Sequence, residues 1–291
     1  MESAGRSEKT LCTWRLYGYS LLPMNRIDAK FRALRGAGQK GFIAYICAGD
    51  PNLKATANLA RGFERAGVDV LELGVPFSDP LADGVVNQLA AERALRSGTT
   101  LPGVLKTVAA LRRDGCGVPI VLYVYFNLLH HYGLKRFVRS AADAGVDGVL
   151  ALDLPPEEGE AYESLMKRAE LHPIYLIAPT TPTARVRQIV KHASGFIYYV
   201  SREGVTGMQK AVTLAPLAAH VASIRKFSEL PVAIGFGISN PAQARAAARA
   251  ADAVVVGSAI VNQIAAYGDH QPLVEKVSRF VGAMVTAVKS V

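Results

Sequence analysis

Cysteine is scarce: the three in 291 residues, Cys12, Cys47 and Cys116, are too few and too scattered for a disulfide framework. None stands in a CxxC spacing, which argues against a structural zinc site, and Cys47, inside an apolar run, reads as a small buried hydrophobe. Long hydrophobic runs are missing as well. Half of the residues are hydrophobic, yet the longest apolar stretches are strand-sized and broken by Gly, Pro or charge, so none could span a bilayer. The stretch Thr10–Leu22 is interrupted by Arg15 and lacks a small-residue cleavage site, which argues against a secretory signal and for a cytoplasmic protein. There is no P-loop, no dinucleotide fingerprint and no Gly-x-Ser-x-Gly elbow.

Charged residues make up only 20% of the chain, but they are unevenly signed, with a net charge of +9. Residues 1–40 hold eight Lys/Arg against three Asp/Glu, so five of the nine excess charges sit there. Much of that lies on one helix predicted from Asn25 to Arg35. Without interleaved aromatics it reads as a solvated helix face and not as a nucleic-acid stripe.

What is present is a repeated alternation of short β-branched runs with Ala-rich amphipathic segments, the pattern of βα units. The strand-like runs are Gly41–Gly49, Val68–Gly74, Pro119–Phe126, Gly148–Leu154, Pro173–Pro179, Gly195–Ser201, Pro231–Gly237 and Asp252–Ser258. They are nearly continuous in apolar residues, as parallel strands covered on both faces must be. Helices are expected over Ala55–Ala66, Val85–Ser97, Leu134–Ala144, Glu158–Leu171, Pro241–Ala250 and about Pro272–Lys289. Eight strands each followed by a helix favour a single closed (β/α)8 TIM barrel over an open sheet, and the helix from Asn25 is placed to cap its bottom. An internal echo agrees: Ala66-Gly-Val-Asp69 and Ala144-Gly-Val-Asp147 each enter a strand, with Ala250-Ala-Asp-Ala253 a looser version. The barrel domain is taken as 24–291. Residues 1–23 are read as an N-terminal extension, disordered or a non-native start, with Met24 a candidate first residue.

Two intervals between strand starts are long: 51 residues from Val68 to Pro119 and 36 from Gly195 to Pro231. Long βα loops in this fold lie on the C-terminal face, where active sites are. Loops two and six therefore draw the search for chemistry.

Glu72 lies inside the apolar strand Val70-Leu-Glu-Leu-Gly74. In a closed barrel with no edge, such a carboxylate either enters the barrel mouth or is buried at a cost, and burial would raise its pKa towards neutrality. Loop two continues Val75-Pro-Phe-Ser-Asp79-Pro-Leu-Ala-Asp83-Gly84, stiffened by two prolines. Asp79 and Asp83 could both be turn or N-cap residues. Beside Glu72, Asp83 becomes a candidate charge stabiliser, because two carboxylates in different environments suit an acid/base and a fixed anion. Glycines in loop six and at the ends of strands seven and eight, in Gly235-Phe-Gly237-Ile-Ser239 and Gly257-Ser258, would let backbone amides approach a phosphate. None of the twelve lysines stands at the C-terminal end of a strand, as a Schiff-base aldolase would require. His130 and His131 are adjacent and read as surface or packing residues, not as converging zinc ligands.

At this point the chain resembles the tryptophan synthase alpha chain family, from about Phe42 to Val261. The most specific element is Leu71-Glu-Leu-Gly-Val-Pro-Phe-Ser-Asp-Pro-Leu-Ala-Asp-Gly84. It is supported by Ala48-Gly-Asp-Pro51, Asp153-Leu-Pro-Pro156, Ser201-Arg-Glu-Gly-Val-Thr-Gly207, Gly235-Phe-Gly-Ile238 and Gly257-Ser-Ala-Ile260. The resemblance implies a lyase that cleaves indole-3-glycerol phosphate to indole and glyceraldehyde 3-phosphate without metal or organic cofactor. It implies Glu72 as the general acid/base and Asp83 as the anion beside the indole N–H. It also implies Tyr45, Tyr123, Leu150 and Leu152 as walls of the indole pocket, and Tyr198 beside the acid/base. Thr206 would bond Asp83 on loop closure, and Gly207, Gly237, Gly257 and Ser258 would hold the phosphate. A beta subunit in an α2β2 complex is the implied partner, with no membrane or nucleic acid; a stand-alone indole-releasing lyase and a non-catalytic activating subunit remain alternatives. Other phosphate-binding barrels share the late glycine loops but not the Glu72–Asp83 segment. The chain departs from the family in Val85 where a proline commonly follows Gly84, in Tyr45 where Phe is usual, and in the length of residues 1–23.

Overall fold

The computed structural model describes residues 24–200, 214–235 and 237–291. Residues 1–23, expected to be an extension, and Thr206 and Gly207 of loop six lie outside the described residues. Eight strands are present: β1 (Gly41–Cys47), β2 (Val70–Gly74), β3 (Ile120–Val124), β4 (Gly148–Ala151), β5 (His172–Ile177), β6 (Ile197–Val200), β7 (Val232–Gly235) and β8 (Ala253–Val256). They pair in parallel in sequence order, and β8 closes on β1 through Gly41–Ala253 to Ala44–Val256, so the expected barrel is the observed one. Every second residue faces inward. Ile43, Val70, Val121, Leu150, Ile174, Phe196, Ala233 and Ala253 form one interior core, one residue from each strand or its first approach. The next inward position on β2 after Val70 is Glu72.

The floor of that interior is a helix, as expected. Helix α1 (Arg26–Gly36) sets Ile27, Phe31 and Leu34 on one face and buries all three, with the Phe31 ring 5.8 Å from that of Phe196. Burial of such side chains stabilises by about 1.5–3 kcal/mol each. Asn25 fixes the helix start, accepting from the Ile27 amide at 2.9 Å while its own amide donates to the carbonyls of Asp147 and Glu170.

Outside the barrel, α2 (Leu53–Arg65) begins at Asn52, whose side chain accepts from the Ala55 amide at 2.8 Å, and buries Ala55, Leu59, Ala60 and Phe63 against the strands. The long interval after β2 is filled by loop two and then by two helices, α3 (Val85–Arg96) and α4 (Leu101–Arg113). α4 has its own cap in Thr100 and a proline in its first turn. The helix expected over Glu158–Leu171 is shorter and broken. A 3-10 turn, Pro156–Glu158, precedes a helix Glu160–Arg168, and Glu170 at φ 57° turns the chain out of helical conformation before β5.

The sequence echo has a physical cause at the bottom rim. Gly67 (φ 89°) and Gly145 (φ 84°) end their helices in the left-handed region, where an L side chain is strained. The aspartate two residues later, and Asp252 in the looser version, then accepts an amide at the start of the preceding strand. Asp69 takes Phe42 N–H at 2.8 Å, Asp147 takes Ile120 N–H at 2.7 Å, and Asp252 takes Val232 N–H at 2.9 Å. Each is also ion-paired: Asp69 with Lys30 and Lys289, Asp147 with Arg26 and Arg112, and Asp252 with Arg225. These three carboxylates lock strand starts together at the end opposite the active site.

Candidate active site

Glu72 sits on β2 with its side chain turned into the barrel and only 1% exposed. Neither carboxyl oxygen has a hydrogen-bond partner among the described residues. An ionised carboxylate left bare in an apolar interior is costly, so the neutral form is favoured. Burial first, and the Asp83 charge second, push its pKa up from 4.5 to about 8. At neutral pH it is an acid with a proton to give.

Glu72 lines a cavity of about 230 Å³ at the C-terminal mouth of the barrel. Tyr45, Tyr123, Leu152, Tyr198, Asp83, Gly237, Gly257 and Ser258 line the same cavity, which brings nearly all the expected site residues together. Leu150 is the exception: it packs one layer lower, in the interior core beside Val121 and Ile174. Leu176, the inward residue two positions after Ile174, stands on the wall instead, with Ile238 and Val255. Tyr45 and Tyr123 meet edge to face with centroids 5.0 Å apart. Glycine at two strand ends makes room for tyrosine rings: a Cβ on Gly74 would collide with Tyr45, and one on Gly235 with Tyr198.

Asp83 is not an N-cap. The cap of α3 is Gly84, and the Asp83 carboxylate accepts from the Tyr123 hydroxyl at 2.8 Å and the Tyr125 hydroxyl at 2.9 Å, with the Asn87 amide more distant at 3.4 Å. Burial raises its pKa, and the bonds from Tyr123, Tyr125 and Asn87 pull it back down. Glu72 and Asp83 thus share a cavity but differ in kind, one bare and the other held by donors. Asp79 is exposed and its side chain bonds Ser78 at 2.5 Å, which fits the turn role allowed by the sequence.

The far end of the cavity suits an anion. Gly257 caps the helix Ser258–Tyr267, and the amides of Ser258 and Ala259 have no partner among the described residues, so the positive end of that helix faces the cavity.

Two of the quoted motif aspartates are structural. Asp50 is buried and pairs with Arg93 of α3 through bonds of 2.8 and 2.7 Å, tying loop one to the helix that follows loop two. Asp153 accepts the Phe126 amide at 2.6 Å. His130 and His131 are exposed on the helix Phe126–Tyr132. Tyr125 is a residue bonded to Asp83 that sequence reasoning passed over; its one signal is that it lies two residues beyond Tyr123. Among the described residues, no group of three or more His, Cys, Asp or Glu could hold a metal ion, and no helix is long and apolar enough to cross a membrane.

A (β/α)8 barrel whose mouth gathers a buried carboxyl group, a hydrogen-bonded carboxylate and a helix N-terminus around one cavity has the architecture of a TIM-barrel enzyme. The model of the tryptophan synthase alpha chain family matches residues 31–289. The chain belongs to that family, and its activity is a lyase reaction of tryptophan biosynthesis. The tryptophan synthase alpha chain of Opitutus terrae is 48% identical over 267 residues, covering 91% of this chain and 100% of the relative. That of Citrifermentans bemidjiense is 47% identical over 265 residues, covering 91% of this chain and 98% of the relative. The crystal structure of tryptophan synthase subunit alpha from Legionella pneumophila superposes with a TM-score of 0.85 at 37% identity, over 92% of this chain and 100% of that one.

Proposed function

We propose that Glu72 and Asp83 carry out the retro-aldol cleavage of indole-3-glycerol phosphate to indole and glyceraldehyde 3-phosphate. The carrying observation is the buried Glu72 carboxyl, without a partner among the described residues, in one cavity with the hydrogen-bonded carboxylate of Asp83. Glu72 gives its proton to the ring carbon that bears the glycerol chain. The ring becomes an indolenine cation, and Asp83 accepts the ring N–H and offsets the charge without moving. The Glu72 carboxylate then takes the proton of the adjacent glycerol hydroxyl. The carbon–carbon bond breaks, its electron pair restores the aromatic ring, and the aldehyde leaves, so Glu72 ends protonated as it began. Tyr45, Tyr123, Leu152 and Tyr198 enclose the ring, and Gly237, Gly257 and Ser258 receive the phosphate. Thr206 and Gly207 keep the roles that the resemblance gives them, closing over Asp83 and holding phosphate.

A beta subunit is the proposed partner, in an α2β2 assembly. An apolar strip beside the cavity mouth supports this: Leu81 is 93%, Val85 58% and Leu89 48% exposed, the last two one helical turn apart on α3. The test is indole release from indole-3-glycerol phosphate by the purified chain, alone and with a beta subunit. Turnover is expected alone and about ten-fold or more faster in the complex. An inert chain under both conditions overturns the assignment. Leu89→Glu is expected to weaken complex formation about ten-fold, read by titration calorimetry, while leaving turnover of the isolated chain unchanged.

A further inference from the structure

Asp83 needs more than proximity to serve as a fixed anion, because its carboxylate is buried and no cation stands against it among the described residues. Among the described residues, the groups that face it are Tyr45 and Cys47 from β1, Glu72 from β2, Tyr123 and Tyr125 from the end of β3, Asn87 from α3 and Tyr198 from β6. All of them are neutral or acidic. Burial alone would therefore drive Asp83 towards its neutral form, which could not offset a cationic ring.

The geometry points to Tyr123 and Tyr125 as a two-hydroxyl clamp that positions Asp83 as an anion and fixes loop two around it. This rests on the charge-stabilising role proposed for Asp83 above. Each carboxylate oxygen receives one short bond, Oδ1 from Tyr123 at 2.8 Å and Oδ2 from Tyr125 at 2.9 Å. Protonation makes the carboxyl a poorer acceptor and weakens the bonds it receives, so two donated hydroxyls favour the charged form. The direction of the Tyr125 bond is set by a second contact. Its oxygen accepts from the Ala82 amide at 2.9 Å, which leaves its own proton for Asp83. Its ring packs 5.1 Å from that of Phe77, so one side chain grips loop two before and immediately beside Asp83. Tyr123 differs, since its ring lines the cavity and meets Tyr45. Oδ2, which accepts from Tyr125 alone among the described residues, keeps a lone pair for the substrate N–H.

The two tyrosines are positioning residues, and they separate in kinetics. Tyr123→Phe is expected to lower kcat/KM about ten-fold at pH 7 and to move its acid limb up by about one pH unit, because a hydrogen bond to the charged form is lost. Tyr125→Phe should move the limb similarly and also raise KM, since the Ala82 amide loses its acceptor and loop two loosens. The double variant should lose about 10²-fold. A 13C NMR titration of the Asp83 carboxyl, in wild type and in Tyr123→Phe without substrate, should report the same upward shift independently of turnover. An acid limb and an Asp83 titration unmoved in both single variants overturn the clamp. Asp83→Asn distinguishes the two levels of the argument: if it keeps wild-type kcat/KM, the role of Asp83 itself is wrong. If it is crippled while both Phe variants match wild type across the pH range, only the clamp is wrong.

Discussion

Glu72→Gln is expected to lower kcat for indole release by about 10²–10⁴-fold while leaving the barrel folded, because the amide keeps the shape but has no acid proton to transfer. The pH profile of the wild type should show the same group from the other side. Turnover needs Glu72 protonated, so activity should fall as pH rises through about 8, where its proton is lost. It also needs Asp83 ionised, which sets the acid limb, at a pH above the ordinary aspartate value because burial raises that group. A profile flat from pH 6 to 10 would remove Glu72 as the acid. The same carboxyl carries a stability cost with a definite sign. In the unfolded chain it loses its proton near 4.5, whereas the folded chain holds it to about 8. The folded state is therefore disfavoured progressively as pH rises between those values. Glu72→Met should stabilise the protein by roughly 1–3 kcal/mol at pH 8 and by much less at pH 5, seen as a pH-dependent rise in Tm.

Asp147→Ala is expected to have the largest effect on stability, about 3–5 kcal/mol. The carboxylate is buried and serves the Ile120 amide, Arg112 at 2.7 Å and Arg26 at 2.9 Å. Arg112 is itself only 11% exposed, and burial already depresses its pKa, so removing its anion strands a charge in the interior. Asp147→Asn keeps an acceptor for Ile120 and should fall between wild type and the alanine variant. Urea unfolding gives the measurement, and a loss below about 1 kcal/mol for Asp147→Ala would show that the bottom rim does not depend on this residue. Turnover well below the melting temperature should be close to wild type, since the site lies at the other end of the strands.

The eight strands were legible because doubly covered parallel strands leave continuous apolar runs, and Glu72 stood out as a carboxylate in the middle of such a run, with apolar residues on either side. Asp83 was ambiguous from sequence, since an aspartate before a helix reads equally well as a cap; contacts from Tyr123 and Tyr125, some 40 residues away, decide it. Those contacts depend on how far loop two folds back over β3, which no local pattern records. The exchange of Leu150 for Leu176 on the cavity wall has a related cause. Alternation tells which residues face inward, whereas barrel stagger sets how high each one stands. The echoing aspartates were visible as a repeat, but their pairing with the preceding strand emerges only when the strands lie side by side. Length suggested a long loop after β2; the expected helix over Val85–Ser97 is there as α3, and much of the remainder forms α4, which no expected helix covered.

The bare carboxyl of Glu72 has a consequence for ligand chemistry. A tight inhibitor of this pocket should treat its two acids as opposites. It would present a hydrogen-bond acceptor to the neutral acid of β2, an N–H donor to the tyrosine-held carboxylate and an anionic group to the helix at Ser258. A compound carrying a fixed cation at the β2 side would have to ionise Glu72 before pairing with it. Its affinity would then rise with pH towards 8, whereas that of the neutral acceptor would fall.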